Sequence, residues 1–200
     1  MSASIDFYFD FSSPYSYLAS EKIEALAARH GRAVRFHPTL LGAVFRVSGQ
    51  RPLTEIPLKG DYARRDFARS ARHAGLPFRM PEVFPVSTVQ AARACLALEP
   101  TQPTLLAPFI HAVFRAYFVE GLDITSAAVL EQLLERCGAD AAAVMAAMAQ
   151  PDIKERLKQA VDASIARGVF GAPFIIVDGE PFWGSDRLEQ VERWLASGPF

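Results

Sequence analysis

The feature that most constrains this chain is the run I-D-F-Y-F-D-F-S, Ile5 to Ser12, followed at once by S-P-Y-S-Y-L. Ile5, Phe7, Phe9 and Phe11 alternate with Asp6, Tyr8, Asp10 and Ser12. A period of two with aromatic enrichment predicts a strand. Pro14 then suits the first turn of a helix, with Ser13 as its N-cap. Leu18, Ile23, Leu26 and Ala27 give that helix an apolar face, and His30-Gly31 closes it. Residues 33–41 read as a second strand, and strand, helix, strand at this length makes the two strands parallel. The stretch Ser13-Pro14-Tyr15-Ser16 has the layout of a Cys-Pro-Tyr-Cys redox motif with oxygen in place of both sulfurs.

The middle of the chain is helical in character. Residues 48–59 read as a loop, 60–74 as a helix basic on one side, and 78–85, with two prolines and Pro77 just before them, as irregular. Helices are predicted over 88–98, 105–120, 126–136, 139–149 and 152–167. Strand character returns at Pro173 to Val177. Asp178-Gly179 is a hairpin signal and Pro181 to Trp183 the answering strand. Ser185 is placed to cap a terminal helix with Leu188, Val191, Trp194 and Leu195 on one face. The expected fold is therefore α/β. A thioredoxin-like βαβ–ββα domain, residues 1–41 plus 169–200, carries an inserted all-helical domain, residues 42–168.

Composition narrows the function. A 200-residue chain that is 50% apolar with net charge −1 gives no reason to expect nucleic acid or a membrane surface as partner. No apolar run reaches the roughly 18 residues a spanning helix needs. The start, M-S-A-S-I-D-F-Y-F-D, lacks the charged and apolar regions of a signal peptide, so a cytoplasmic location is expected. Cys95 and Cys137 are far apart and form no C-x-x-C or zinc spacing. They read as small buried hydrophobes, a structural disulfide being the weaker alternative. The four histidines (His30, His37, His73, His111) show no ligand spacing, and no metal is expected.

Three stretches carry candidate chemistry. At the first helix start, free N–H groups and a partial positive charge favour an anion. Ser13 cannot itself be a thiolate, but its hydroxyl can donate to one supplied by a ligand. A free thiol has a pKa of about 8.5, and lowering it by about two units requires about 2.7 kcal/mol of preference for the charged form. A charge-assisted hydrogen bond and a helix end together reach that range. Ser13 as a mere cap is the competing reading. A serine hydrolase is discounted, because no G-x-S-x-G elbow surrounds Ser13 and no histidine has a role as base. In G-V-F-G-A-P-F-I-I, a proline opening a strand suggests a backbone kink or a cis peptide at Pro173. That arrangement offers the N–H and C=O of Ala172 to a bound peptide; an ordinary strand start is the alternative. In F-W-G-S-D-R-L, Ser185 and Asp186 stand at a helix start suited to an amino-acid head group, unless they only cap it. Trp183 is either core or a lid.

Taken together, D-F-Y-F-D-F-S-S-P-Y-S-Y-L-A, S-G-Q-R-P-L-T-E-I-P-L-K-G-D-Y, G-V-F-G-A-P-F-I-I-V and F-W-G-S-D-R-L resemble the 2-hydroxychromene-2-carboxylate isomerases. These belong to the disulfide-oxidoreductase-A-like branch of thioredoxin folds and are near the kappa-class glutathione transferases. The resemblance spans nearly the whole chain. It implies glutathione as cofactor, its thiolate held by Ser13, its cysteinyl backbone paired with Ala172 before Pro173, and its γ-glutamyl end received by Trp183, Gly184, Ser185 and Asp186. It further implies interconversion of 2-hydroxychromene-2-carboxylate and trans-o-hydroxybenzylidenepyruvate, an intermediate type of aromatic catabolism, and a homodimer. Arg46, Arg51, Lys59 and Arg64 are candidates for the substrate carboxylate, against the plain reading of solvated charge. Gln50 stands where relatives usually carry an Asn that contacts glutathione, and the resemblance implies the same cofactor contact for Gln50 with geometry shifted by one methylene; Ser87 also stands where many relatives have Asn. Both departures leave glutathione binding in place and put the second substrate in question. A kappa-like transferase or peroxidase and a non-catalytic glutathione-binding protein are the alternatives.

Overall fold

The computed structural model of the protein describes residues 4–200. Residues 1–3, the start of the stretch read as lacking a leader and of the expected first domain, lie outside the described residues. The alternating aromatic run forms β1 (Ile5–Phe9), and the Ser-Pro start opens α1 (Pro14–Arg29). β2 (Val34–Pro38) pairs in parallel with β1, from Ile5 opposite Val34 to Phe9 opposite Pro38. At the other end of the chain, β3 (Phe174–Val177) lies antiparallel to β1, and β4 (Glu180–Trp183) antiparallel to β3. Asp178 and Gly179 join these two strands with φ of 53° and 93°, the pair of positive values a tight type I′ hairpin requires. Among the described residues the sheet thus has four strands in the order β2-β1-β3-β4.

Between the two halves of the sheet run α2 (Leu41–Ser48), α3 (Lys59–Ala74), α4 (Val89–Leu98), α5 (Leu106–Arg115), α6 (Ala127–Arg136), α7 (Ala141–Met148) and α8 (Pro151–Ala166). The chain closes with α9 (Leu188–Ser197). The architecture is a thioredoxin-like sheet with a helical segment inserted between β2 and β3.

Four local expectations are corrected. The second strand ends at Pro38 rather than Leu41, because Leu41 begins α2. Nothing in the sequence near Leu40 caps that helix; the cap is the distant Asp10 carboxylate, which accepts the Leu41 N–H at 2.7 Å. The loop over residues 48–59 contains one 3₁₀ turn, Leu53–Glu55. Ser185 does not cap the terminal helix by a side-chain bond. It starts a 3₁₀ turn, Ser185–Arg187, that leads into α9. The helix expected over 105–120 begins with a 3₁₀ turn and ends in a π-helical turn, Ala116–Glu120.

One aromatic seam joins the sheet to the helices. Phe9 packs on Phe11 at 5.1 Å between ring centroids, and Phe11 on Phe114 of α5 at 5.0 Å. Phe114 also meets Phe9 and Tyr17, and Tyr17 stacks on Phe118. All of these rings are buried. Cys95 is buried and Cys137 half-buried; both are free thiols, and burial pushes both pKa values up. They behave as packing residues, and the disulfide alternative is excluded. His37 bonds Asp6 at 2.8 Å, and Arg167, just past α8, bonds the same carboxylate at 2.9 Å. These contacts pin the end of α8 to the sheet.

Phe114→Ala empties the centre of the seam. It is expected to cost roughly 3–5 kcal/mol in urea unfolding, whereas Cys137→Ser, half-buried at the margin, should cost less than about 1 kcal/mol.

Candidate active site

The site is built where β1 hands over to α1. Asp10, 4% exposed, ends the strand inside the protein. Its Oδ1 accepts the Ser12 N–H at 2.8 Å, an Asx-type turn, and the Thr88 hydroxyl at 3.0 Å; its Oδ2 accepts the Leu41 N–H. Burial pushes the Asp10 carboxyl up, and these three donors pull the other way. The Asp10 C=O accepts the Ser13 N–H at 2.9 Å. The turn into α1 is therefore fixed by one residue through both its side chain and its backbone.

Ser13 is the N-cap of α1, in extended backbone conformation. Its Oγ accepts the Ser16 N–H at 3.1 Å and donates to the C=O of Ala172 at 3.0 Å. Ser13 and Ala172 are 159 residues apart in the chain. The Ala172–Pro173 peptide is cis. Pro14 has no N–H, so the Tyr15 N–H is the next first-turn donor without an intrahelical partner. No acidic residue lies in the first turn of α1 to oppose an anion there. Ser13 is only 4% exposed, so a ligand atom takes its proton by displacing the Ala172 contact.

The far side of the Ala172 loop is flanked by β4. Trp183 is 50% exposed and meets Phe170 edge-on at 4.9 Å. Its indole Nε1 lies so close to Gly171 that a Cβ there would approach it to 2.6 Å. Trp183 is thus an outer wall of the loop and no part of the core. The Gly184 N–H donates to the Pro173 C=O at 3.0 Å. Gly184 itself has φ +112°, a backbone conformation that calls for glycine. Asp186 is exposed and pairs with Arg187 at 3.2 Å. Its charge reaches Tyr15, and α1 packs against the Ser185–Arg187 turn. Ser13, Ala172, Pro173, Trp183, Gly184, Ser185 and Asp186 therefore come together around one end of α1.

On the opposite flank stand α3 and the Phe84–Pro85 segment, whose peptide is also cis. The Tyr15 hydroxyl donates to Asp66, which also accepts from Arg69 and Ser70. Burial pushes the Asp66 carboxyl up, but these hydrogen bonds outweigh it and hold the group below the usual carboxylate range. Burial, and then the Asp66 bond, push the Tyr15 phenol up. The Val86 N–H donates to Ser12 Oγ at 3.2 Å, and the Tyr117 hydroxyl to the Val83 C=O at 2.8 Å. Ser87 follows Val86 directly in the chain and is exposed. A row of rings borders this flank: Tyr15 on Phe67 at 5.1 Å, Phe67 near Phe84 at 6.1 Å, and Phe84 near Tyr117 at 6.5 Å.

The four candidate cations are distributed differently. Arg46 lies in the last turn of α2, Arg51 in the following loop, and Lys59 and Arg64 on α3; all four are exposed, as is Gln50. No contact among the described residues ties them to Ser13. The geometry also identifies residues that sequence reasoning missed: Asp10, Ser12, Tyr15, Asp66 and Thr88. An Asp two residues before Ser12 is an Asx-turn signal that was legible. The pairings with α3 and α4 are tertiary and left no local trace.

The fold and site define a class. Residues 4–196 match the DsbA-like thioredoxin domain model, and the chain belongs to that family. Within it, the chain is 32% identical over 197 residues to a 2-hydroxychromene-2-carboxylate isomerase of Sphingobium xenophagum, covering 98% of this chain and 99% of the relative. It is 29% identical over 209 residues to a kappa-class glutathione transferase, kappa 2, of Caenorhabditis elegans, covering 98% of this chain and 92% of the relative. A solved 2-hydroxychromene-2-carboxylate isomerase structure superposes with a TM-score of 0.88 at 28% identity, over 97% of this chain and 95% of that one. These relatives support an isomerase or glutathione-transferase-like enzyme. No helix of the described residues is long and apolar enough to cross a membrane.

Asp10→Ala leaves the Ser12 and Leu41 N–H groups and the Thr88 hydroxyl without their acceptor. It should destabilise the protein by roughly 3 kcal/mol in urea unfolding.

Proposed function

We propose that the protein is a glutathione-dependent isomerase interconverting 2-hydroxychromene-2-carboxylate and trans-o-hydroxybenzylidenepyruvate, or a related intermediate of aromatic catabolism. The observation that carries this reading is the contact of Ser13 Oγ with the Ala172 carbonyl. It joins an uncharged donor at a helix N-terminus to a peptide-pairing position. Serine at the cap makes this a site for a thiolate brought by a ligand. The relative named as a kappa-class glutathione transferase supports glutathione as that ligand.

The residues present fit glutathione. Ala172 is placed to pair with a cysteinyl backbone. A ligand N–H on the Ala172 carbonyl competes with the Ser13 hydroxyl and frees its proton to face the sulfur. The α1 N-terminus and the Tyr15 N–H add positive potential there. Trp183 walls the ligand in. Ser185 and Asp186 offer backbone N–H groups, a hydroxyl and a carboxylate for an amino-acid head group, and Gly184, without a side chain, leaves room for it. When bound, glutathione supplies a thiolate that adds reversibly to an electrophilic carbon, turning a double bond into a single bond that can rotate. The half-buried rings of Tyr15 and Phe84 present an apolar flank to a planar substrate. Arg46, Arg51, Lys59 and Arg64 are the cations available to draw in its carboxylate, and Gln50 and Ser87 would tune the second-substrate side.

A kappa-like transferase is the second reading, favoured by the transferase relative that matches nearly the whole chain. The two differ in whether glutathione ends in the product. Incubation with glutathione and a hydroxychromene carboxylate should give isomerisation with glutathione unconsumed; stoichiometric loss of the thiol would support the transferase. A homodimer in the cytoplasm completes the proposal. Val47, Leu53, Leu58 and Tyr62, exposed on one segment, support it, and sedimentation should give twice the chain mass.

Ser13→Ala should lower turnover by about a hundredfold, the loss of one charge-assisted donor, while the fold survives a loss of about 1 kcal/mol from the missing cap. Unaltered turnover would reduce Ser13 to a cap. The double variant Cys95→Ser, Cys137→Ser should keep activity in the fraction that folds; loss of turnover per folded molecule would indicate thiol chemistry of the protein's own.

A further inference from the structure

Two hydroxyls stand one turn apart at the start of α1, and only one has its hydrogen bonds. Ser13 Oγ has a donor and an acceptor partner. Ser16 is fully buried, and its Oγ has no hydrogen-bond partner among the described residues. A polar side chain at this third helical position ordinarily reaches back to the N–H of the cap residue. Here that N–H, of Ser13, is already given to the Asp10 carbonyl. A buried hydroxyl without a partner is destabilising, and alanine would remove it while favouring the helix. An unsatisfied group in that place needs a reason beyond packing.

Positions 13 and 16 share a helix face. The Ser16 N–H donates to Ser13 Oγ at 3.1 Å, and in the equivalent Cys-x-x-Cys layout one pair of rotamers brings the two γ atoms to a disulfide bond length, so rotation of the Ser16 side chain carries its hydroxyl within reach of Ser13 Oγ. We propose that Ser16 is a positioning residue of the thiolate site, an inference that rests on the glutathione reading of Ser13. A serine oxygen has one proton and two lone pairs. One lone pair of Ser13 Oγ takes the Ser16 N–H. The second lone pair is open in both states, but it becomes the stronger acceptor once the Ser13 proton faces a thiolate rather than the Ala172 carbonyl. A rotation about the Ser16 Cα–Cβ bond then brings the Ser16 Oγ–H, unpartnered among the described residues, onto that lone pair, and each hydrogen bond in the chain strengthens the next. The thiol proton leaves to solvent; the two hydroxyl protons change only the acceptors they face.

The test is Ser16→Ala, with bound glutathione titrated by its ultraviolet thiolate absorbance. The variant should raise the pKa of the bound thiol by about one unit, a tenfold loss of thiolate below it. Its thermal midpoint should be equal to or above that of the native protein. Its affinity for S-methylglutathione, which has no thiol proton, should be unchanged. Ser16→Cys under reducing conditions, a weaker donor of similar size, should fall between the two. A bound thiol that titrates in Ser16→Ala as it does in the native protein overturns the inference, as does an equal loss of affinity for S-methylglutathione. Failure of the native protein to bind glutathione overturns the underlying reading instead, which is a distinct result.

Discussion

One buried carboxylate holds the molecule's working end together. Asp10 terminates β1 and gathers donors from three places: the Ser12 N–H at the entry to α1, the Leu41 N–H that opens α2, and the Thr88 hydroxyl ahead of α4. A buried acid costs desolvation unless donors surround it, and here every donor belongs to a segment that must be placed. The sheet strand, the Ser13 helix and two helices of the inserted segment are thereby tied to one point. Ser12 Oγ extends the junction to the Val86 backbone. The geometry around Ser13 is a consequence of this anchorage.

At that fixed point the protein substitutes oxygen for sulfur. A thioredoxin-type helix end is suited to stabilise a negative charge, whoever supplies it. With serine at positions 13 and 16, the fold loses any thiol of its own at the site and keeps the electrostatic preference. Cys95, buried with its pKa raised, cannot replace it. On the proposed reading the chemistry uses an exchangeable sulfur, held by the backbone at Ala172 and the β4 edge. On this account ionisation of the ligand and release of Ser13 from Ala172 are one event.

Much of this was legible in the sequence. The alternation from Ile5 to Phe11, Pro14 at a helix start, and Asp178-Gly179 between apolar runs each encode local geometry, and each formed as read. The meeting of Ser13 with Ala172 was implied by the family resemblance and by no local pattern. What escaped has a common cause. The α2 start lacks a local cap because its cap is Asp10, 31 residues away. Ser185 gave way to a 3₁₀ turn whose entry is set by Gly184 at positive φ. Tyr15 with Asp66, and Ser12 with Val86, are side-chain meetings between distant segments, and no spacing rule reports such contacts. The exposed cations, conversely, were visible in composition, yet no observed contact assigns them a target.

The account turns on whether the site ionises a sulfur that is not its own. Calorimetric titration of glutathione in buffers of different ionisation enthalpy counts the protons released per binding event. A thiol whose pKa falls by about two units on binding releases roughly 0.7 of a proton per site at pH 7, and that is the predicted result. Binding with no proton release would contradict the account at its centre.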